Sequence, residues 1–322
     1  IKELGDDEQS DQVKFSLRQE INYDIEHIYM LLAMLYDTQS IQLVKENIES
    51  GTSDGVTYAI ELLDIFLSEQ LKMRVIPVLD EISDNEKISR LEVFYPRVGL
   101  DQKLVLKFLV NRDFTQTNRW TRATVIHQIG LQRIKDFTLD LIAQLFNSDR
   151  LIREVAGWAL YQIDPNLYHK NSSRLDSDHK RWLDRAILKK SDDNKLMLYE
   201  RTVFFQTINV LEGIPGLVLS YLADIAREHH LKPEAFLSVD ERLNNEFFIV
   251  HKGSLQYYEN GKYVADFEKG QFVGEMLSLP GFVNTNLLIA KEETILLKIN
   301  KDQFYELLSD HVKLADKVLQ FI

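Results

Sequence analysis

One stretch of the chain has the residue types and spacing to hold a ligand: Gly270-Gln-Phe-Val-Gly-Glu-Met-Leu277. It follows a β-prone run, and its second glycine stands directly before an acid. Ala290 stands fifteen residues after Glu275, with Asn284 and Thr285 between them. Other chemistries are thinner. His229-His230 suggests a metal, but adjacent residues of a helix face opposite ways and no third ligand sits at a sensible spacing. Asp192-Asp193 and Glu292-Glu293 read as solvated loops rather than acid/base pairs. There is no Gly-x-Ser-x-Gly nucleophile elbow and no Gly-x-x-x-x-Gly-Lys-Ser/Thr phosphate loop. The cysteine count is zero, which removes thiolate catalysis, disulfides and cysteine zinc sites. No catalytic set and no metal centre are therefore expected.

Placed beside Phe248-Ile-Val-His-Lys-Gly253 and Val283-Asn-Thr-Asn-Leu-Leu-Ile-Ala290, the stretch resembles the cyclic nucleotide-binding domain family. That family has an aromatic-Ile-Ile strand ending in Gly, then Gly-x-x-Phe-Gly-Glu, then an Arg nine residues after the Glu. Gly253 matches the strand-end glycine, and Gly270, Gly274 and Glu275 match the start of the cassette. Ala290 closes it at full length. The resemblance covers about residues 195–322 and implies a β-roll with a cyclic nucleotide as ligand. In such a cassette the backbone N–H groups that follow Gly274 and Glu275, at Met276 and Leu277, face a phosphate at a helix N-terminus. Glu275 accepts a hydrogen bond from the ribose 2′-hydroxyl, and the Arg makes charge-assisted bonds to phosphate oxygens.

The departure falls on that Arg, whose position holds Asn284. Thr285 fits the small position after it, and Asn286 replaces a usual Ala. One lost charged phosphate contact removes about 1.5–3 kcal/mol, or about 10- to 150-fold in affinity. Residues 202–322 carry 17 acids against 11 bases, net −6, so the local field does not replace the charge. The glycine usual before the aromatic strand is absent, with Asp240 and Glu241 in that region. The expectation is a roll that has lost its ligand and needs no cofactor, with Glu275 as a loop acid favourable at a helix N-terminus. A working cyclic-nucleotide sensor is the alternative.

The elements that would position the cassette read as α+β. Short strands are predicted at Phe247–Val250, Ser254–Tyr258, Tyr263–Phe267, Leu287–Ala290 and Thr294–Ile299, with Asn260-Gly261 as a hairpin turn. A helix from Leu211 to Glu228 precedes them, and helices at Asp302–Leu308 and Val312–Phe321 follow.

Residues 13–165 read as helix after helix. Val13, Leu17, Ile21, Ile25, Ile28, Leu32 and Leu35 make one apolar face, capped by Ser10 or Asp11. Further helices are predicted at 41–48, 56–67, 71–82, 86–94, 100–110, 119–129, 137–146 and 151–163. A loose repeat centres on Ala59, Ala123 and Ala156, each in a small-residue position on an apolar face. Arg122 and Arg153 stand at helix starts, where they would reach carboxylates of a neighbouring repeat. This resembles HEAT repeats stacked into an α-solenoid, with an irregular bundle as the alternative. The three Trp (Trp120, Trp158, Trp182) would fill packing. Residues 166–181 are polar and Ser/Asp-rich, a linker by composition. The predicted division is 1–165 helical repeats, 166–200 linker and short helices, and 201–322 the nucleotide-binding-like domain.

Length and charge set the class of partner. The 322 residues suggest about two domains. With 50 acids, 38 bases and a net charge of −12, the chain is unsuited to nucleic acid or anionic membrane. No basic helix follows the last one, which argues against a DNA-binding regulator. The longest apolar run, Tyr29 to Leu35, is too short to span a bilayer. The first residue is Ile1 rather than Met, as in a segment of a longer product. A helical array followed by such a roll resembles the soluble tail of bacterial ATP/ADP translocase-type transporters. The resemblance implies a protein partner or an attached transporter domain, and a cytoplasmic setting.

Overall fold

The computed structural model describes residues 1–5, 10–113, 116–189, 195–239, 245–259, 261–274 and 286–321. The chain forms two compact units, Ile1–Asp6 with Leu17–Leu106, and Asp7–Ser16 with Lys107–Ile322.

The first unit is helical: α1 (Asp11–Leu35, whose first residues belong to the second unit), α2 (Thr38–Glu49), α3 (Ser53–Phe66), α4 (Glu69–Leu79), α5 (Asp84–Leu91) and the start of α6 (Gln102–Asn111). Three of these helices start at a side-chain cap. Asp37 caps α2 by accepting from the Ser40 N–H at 2.8 Å, and Thr52 and Ser83 do the same for α3 and α5. The apolar stripes of α1 to α4 meet in a core of Tyr29, Leu32, Ile41, Val44, Ala59, Leu63, Leu67 and Leu79.

The helical part of the second unit comprises α7 (Arg119–Leu131), α8 (Thr138–Gln144), α9 (Arg150–Ile163), α10 (Pro165–Ser172), α11 (Ser177–Ile187), α12 (Leu198–Gln206) and α13 (Gly216–Ile225). α7 packs on α9 so closely that a Cβ on Gly130 would lie 2.8 Å from the Cα of Ala159. Gly130 thus marks a close approach of the two helices, and Ala123 and Ala156 are buried. Arg122 donates to the Arg112 carbonyl, and Arg153 to the Asn147 carbonyl at 3.2 Å, each bracing the loop before its own helix. The polar stretch 166–181 is mostly helix. Asp164 and Asp176 cap α10 and α11, and Tyr168 is buried and donates to Asp184 at 2.8 Å.

Among the described residues eight strands follow: β1 (Arg227–Leu231), β2 (Phe236–Val239), β3 (Glu246–Lys252), β4 (Leu255–Glu259), β5 (Lys262–Phe267), β6 (Phe272–Val273), β7 (Asn286–Ala290) and β8 (Thr294–Asn300). They form two antiparallel four-stranded sheets, ordered β1-β8-β3-β6 and β2-β7-β4-β5. Between them lie Leu231, Phe248, Val250, Leu255, Val273, Leu288, Ala290 and Leu296. Phe247-Phe-Ile-Val250 is unbroken in apolarity because β3 is buried on both faces. Phe248 and Val250 enter the roll, while Phe247 meets Phe304 edge-on at 5.0 Å. Phe304 belongs to α14 (Lys301–Asp310), and α15 (Val312–Phe321) ends the chain.

Three strands were not predicted. The expected helix from Leu211 to Glu228 is a 3-10 turn (Asn209–Leu211) and α13, and it stops at Ile225. His229 and His230 therefore stand on β1, not on a helix. They still point to opposite faces, as strand neighbours do.

Candidate ligand-binding site

The start of the cassette is a strap held along β3. The Gly270 N–H donates to the Val250 carbonyl at 2.8 Å, and the Val250 N–H donates back to the Gln271 carbonyl at 3.0 Å. β6 continues this pairing, with Val273 opposite Phe248 and Phe272 opposite Ile249. Val273 is buried in the roll, and Phe272 stacks on Phe247 at 6.2 Å. Gly274 then leaves the sheet at φ +92°, a conformation that favours glycine. At the other end of the cassette, Ala290 is buried on β7 and exchanges backbone bonds with Glu234 and Ala235. Gly274 follows a strand of one sheet and Ala290 ends a strand of the other, so the cassette passes from sheet to sheet.

Gly253 has a steric reason to be glycine. It sits at φ +80°, and a Cβ there would fall 2.5 Å from the Thr294 hydroxyl and 2.8 Å from the Glu293 carbonyl. Of the predicted contact residues, Gly274 is placed as described. Glu275, Met276, Leu277, Asn284 and Thr285 lie outside the described residues, as does Asn260 of the β4–β5 hairpin. Gly261 in that hairpin has the positive φ expected of it.

A second polar constellation joins the roll to the helices, and the sequence did not reveal it. Three N–H groups at the start of α12 each meet a carboxylate. Leu196 donates to Glu228 of β1 at 2.8 Å, Met197 to Glu200 of α12 at 2.9 Å, and Leu198 to Glu154 of α9 at 2.5 Å. Negative groups are favourable at a helix N-terminus because the free N–H groups carry partial positive charge there. Arg201 completes the junction, donating to Glu228 at 2.7 Å and to the Ala226 carbonyl at 2.5 Å. Its side chain and that of Glu228 are almost wholly buried. His230 also contacts Glu228, at 3.1 Å. The signal that could have found this site is the pairing of Glu154 and Arg201, charged residues on otherwise apolar helix faces.

Glu154 is fully buried, and burial pushes its carboxyl up from 4.5 to about 7, against the pull of Arg150 and Arg201. Arg150 approaches Glu154 at 3.3 Å and lies over the Trp182 ring at 4.0 Å. On the same side, His127 is stacked between Trp158 at 4.4 Å and Tyr199 at 4.1 Å, and Tyr199 stacks on Trp120 at 5.1 Å. Burial lowers the His127 imidazole to about 4, so it is neutral at neutral pH. All three Trp thus serve packing. Arg119 is held by Asp149 at 2.9 Å and by Asp224. Among the described residues, no three His, Asp or Glu side chains gather as a metal would need, and no helix is long and apolar enough to cross a membrane.

Solved structures similar to part of this chain include three of low identity. The cAMP-bound PfPKA-R is 17% identical over 44% of this chain and 51% of that chain, at a TM-score of 0.32. The regulatory domain of Toxoplasma gondii PKA with cAMP is 20% identical over 44% and 56%, at 0.34. The sensor domain of the transcriptional regulator DNR from Pseudomonas aeruginosa is 15% identical over 38% and 86%, at 0.34. The chain spans about half the length of the first two. No curated protein matches the sequence significantly. The family model of the cyclic nucleotide-binding domain matches residues 228–311, which are the strands of the two sheets and α14. The chain therefore carries a cyclic nucleotide-binding domain at residues 228–311.

Proposed function

We propose that the chain is a non-catalytic regulatory module, in which a helical array is coupled to a cyclic nucleotide-binding domain that has lost tight ligand binding. The observation that carries the coupling is the start of α12, bonded on one side to Glu154 of α9 and on the other to Glu228 of β1. A buried, carboxylate-held helix end transmits displacement of the roll to the helices because no water can replace its bonds. The loss of ligand rests on Asn284, in a cassette of full length from Gly270 to Ala290 that also holds Asn286 for a usual Ala. The helices are read as HEAT-like repeats offering a surface to a protein partner. A transporter domain attached to the chain is one form that partner takes, as in the transporter tails with a similar arrangement.

Calorimetric titration with cAMP and cGMP tests this. The wild type is expected to give no heat of binding at micromolar ligand, and Asn284→Arg to gain at least tenfold in affinity. Micromolar binding by the wild type would establish the sensor reading instead. The described φ at Gly274 and the full cassette length make that outcome structurally accessible.

A further inference from the structure

The second unit has a cleft of about 500 Å³ beside the roll, reaching the first residues of the cassette. One wall is the turn between α12 and α13, with Thr207 and Asn209. The other is the stretch from Phe267 to Phe272 that leads into β6. The first wall precedes the family match, which begins at residue 228, while the second includes Gly270, Gln271 and Phe272 at the start of the cassette.

We propose that this cleft binds a small aromatic anion, an aryl carboxylate or aryl phosphate, with Lys269 holding the charged group. Its volume is that of a small-molecule site. Thr207, Asn209, Lys269 and Gln271 are exposed at its rim, and Phe267 and Phe272 are half-buried within it. Four polar side chains over two aromatic rings suit a flat apolar body with one anionic head.

Lys269 makes no ion pair among the described residues; its ammonium lies 5.8 Å from the centre of the Phe204 ring. That is a notable place for an uncompensated cation in a chain of net charge −12. The Gln271 side-chain oxygen is taken by the Glu268 N–H at 2.6 Å, so what it turns to a ligand is its NH2 group, a donor. The walls are pre-formed. Phe267 is paired to Leu255 across β4 and meets Tyr257 edge-on at 6.2 Å, and Phe272 stacks on Phe247. The opposite turn is closed by bonds from Ile208 to Phe205 and from Leu211 to Ile208. A ligand here would touch both the turn after α12 and the strap that becomes the cassette, and so would bias the junction described above.

The test is an amide NMR titration of the whole chain with phenyl phosphate, benzyl alcohol and inorganic phosphate. Phenyl phosphate is expected to shift amides within 207–211 and 267–272 saturably. Benzyl alcohol and inorganic phosphate should each bind at least tenfold more weakly. Lys269→Gln should weaken phenyl phosphate tenfold or more. Unaltered affinity in Lys269→Gln, shifts confined to other segments, or equal binding of inorganic phosphate would each overturn the assignment.

Discussion

Helices α5 and α7 begin alike and are buried to opposite degrees. Each is capped by a polar side chain, Ser83 and Asn118, that accepts an N–H of the first turn. α5, in the first unit, buries none of its eight residues, whereas α7, in the second, buries eleven of thirteen. The contrast extends to the units. Met30, Met34, Leu35 and Ile65 of the first unit are largely exposed, while the second encloses Arg119, Glu154 and Arg201 along with its apolar core. A helix with one apolar stripe tolerates substitution on three sides. A helix enclosed on all sides has no solvent for the polar groups it carries, and α7 and α9 engage several of theirs, among them Arg119 with Asp149 and Asp224, and Glu154 with the Leu198 N–H.

The largest effect that would break this comparison is in the aromatic stack. Trp120 is 1% exposed and lies against Gly216 and Tyr199. Trp120→Ala should cost about 3–5 kcal/mol in urea denaturation. Ile65→Ala, at 80% exposure, should stay within about 0.5 kcal/mol. Similar losses at both positions would mean that the first unit's exposed apolar face is covered in solution.

The sequence made parts of this contrast legible. The unbroken run at Phe247 and the glycines at 253, 270 and 274 announced the roll, because strand burial and positive φ are local demands. β1 was illegible: Arg227-Glu-His-His-Leu231 has little strand character of its own and is a strand because it pairs with β8. Residues 166–181 read as linker because their polar face dominates the composition, although Tyr168, Asn171 and Ser172 are buried. The junction at α12 was hidden most deeply. Glu154 is 44 residues from Leu198, and nothing in local spacing links an acid to an N–H so far along the chain. Of the candidate site, the order and length of the cassette were readable, while the coupling to the helices was not.

The acid at that junction gives the second unit a pH signature. Glu154 is raised in the folded protein, from 4.5 to about 7. Its contribution to stability is fully present below pH 4.5 and is lost as pH rises through 7, on the order of 3 kcal/mol in all. His127 is lowered, from 6.5 to about 4, so its contribution is present above pH 6.5 and is lost as pH falls toward 4. Between these limits the two oppose each other and the stability profile is flattened. Glu154→Gln keeps the acceptor for the Leu198 N–H and removes one slope. The variant should match the wild type near pH 4.5 and exceed it by about 1–3 kcal/mol at pH 8. Parallel profiles for the two proteins would show that Glu154 does not titrate as described.

The smallest effect separates the two caps. An N-cap replaced by Ala costs about 0.5–2 kcal/mol where its helix is part of the cooperative core. Asn118→Ala should therefore lower the global unfolding midpoint by about 1 kcal/mol, because α7 cannot loosen without opening the stack around His127 and Trp120. Ser83→Ala removes a longer bond, 3.3 Å against 2.9 Å, from a helix with no buried residue. Fraying of α5 exposes little new apolar surface, so it opens locally rather than with the whole unit. Hydrogen exchange is the measurement that tells these apart. Ser83→Ala should speed exchange of the amides of 84–91 several-fold and leave the global midpoint in place, whereas Asn118→Ala should shift both together. If Ser83→Ala moved the midpoint as far as Asn118→Ala, α5 would have to be held by contacts as extensive as those of α7.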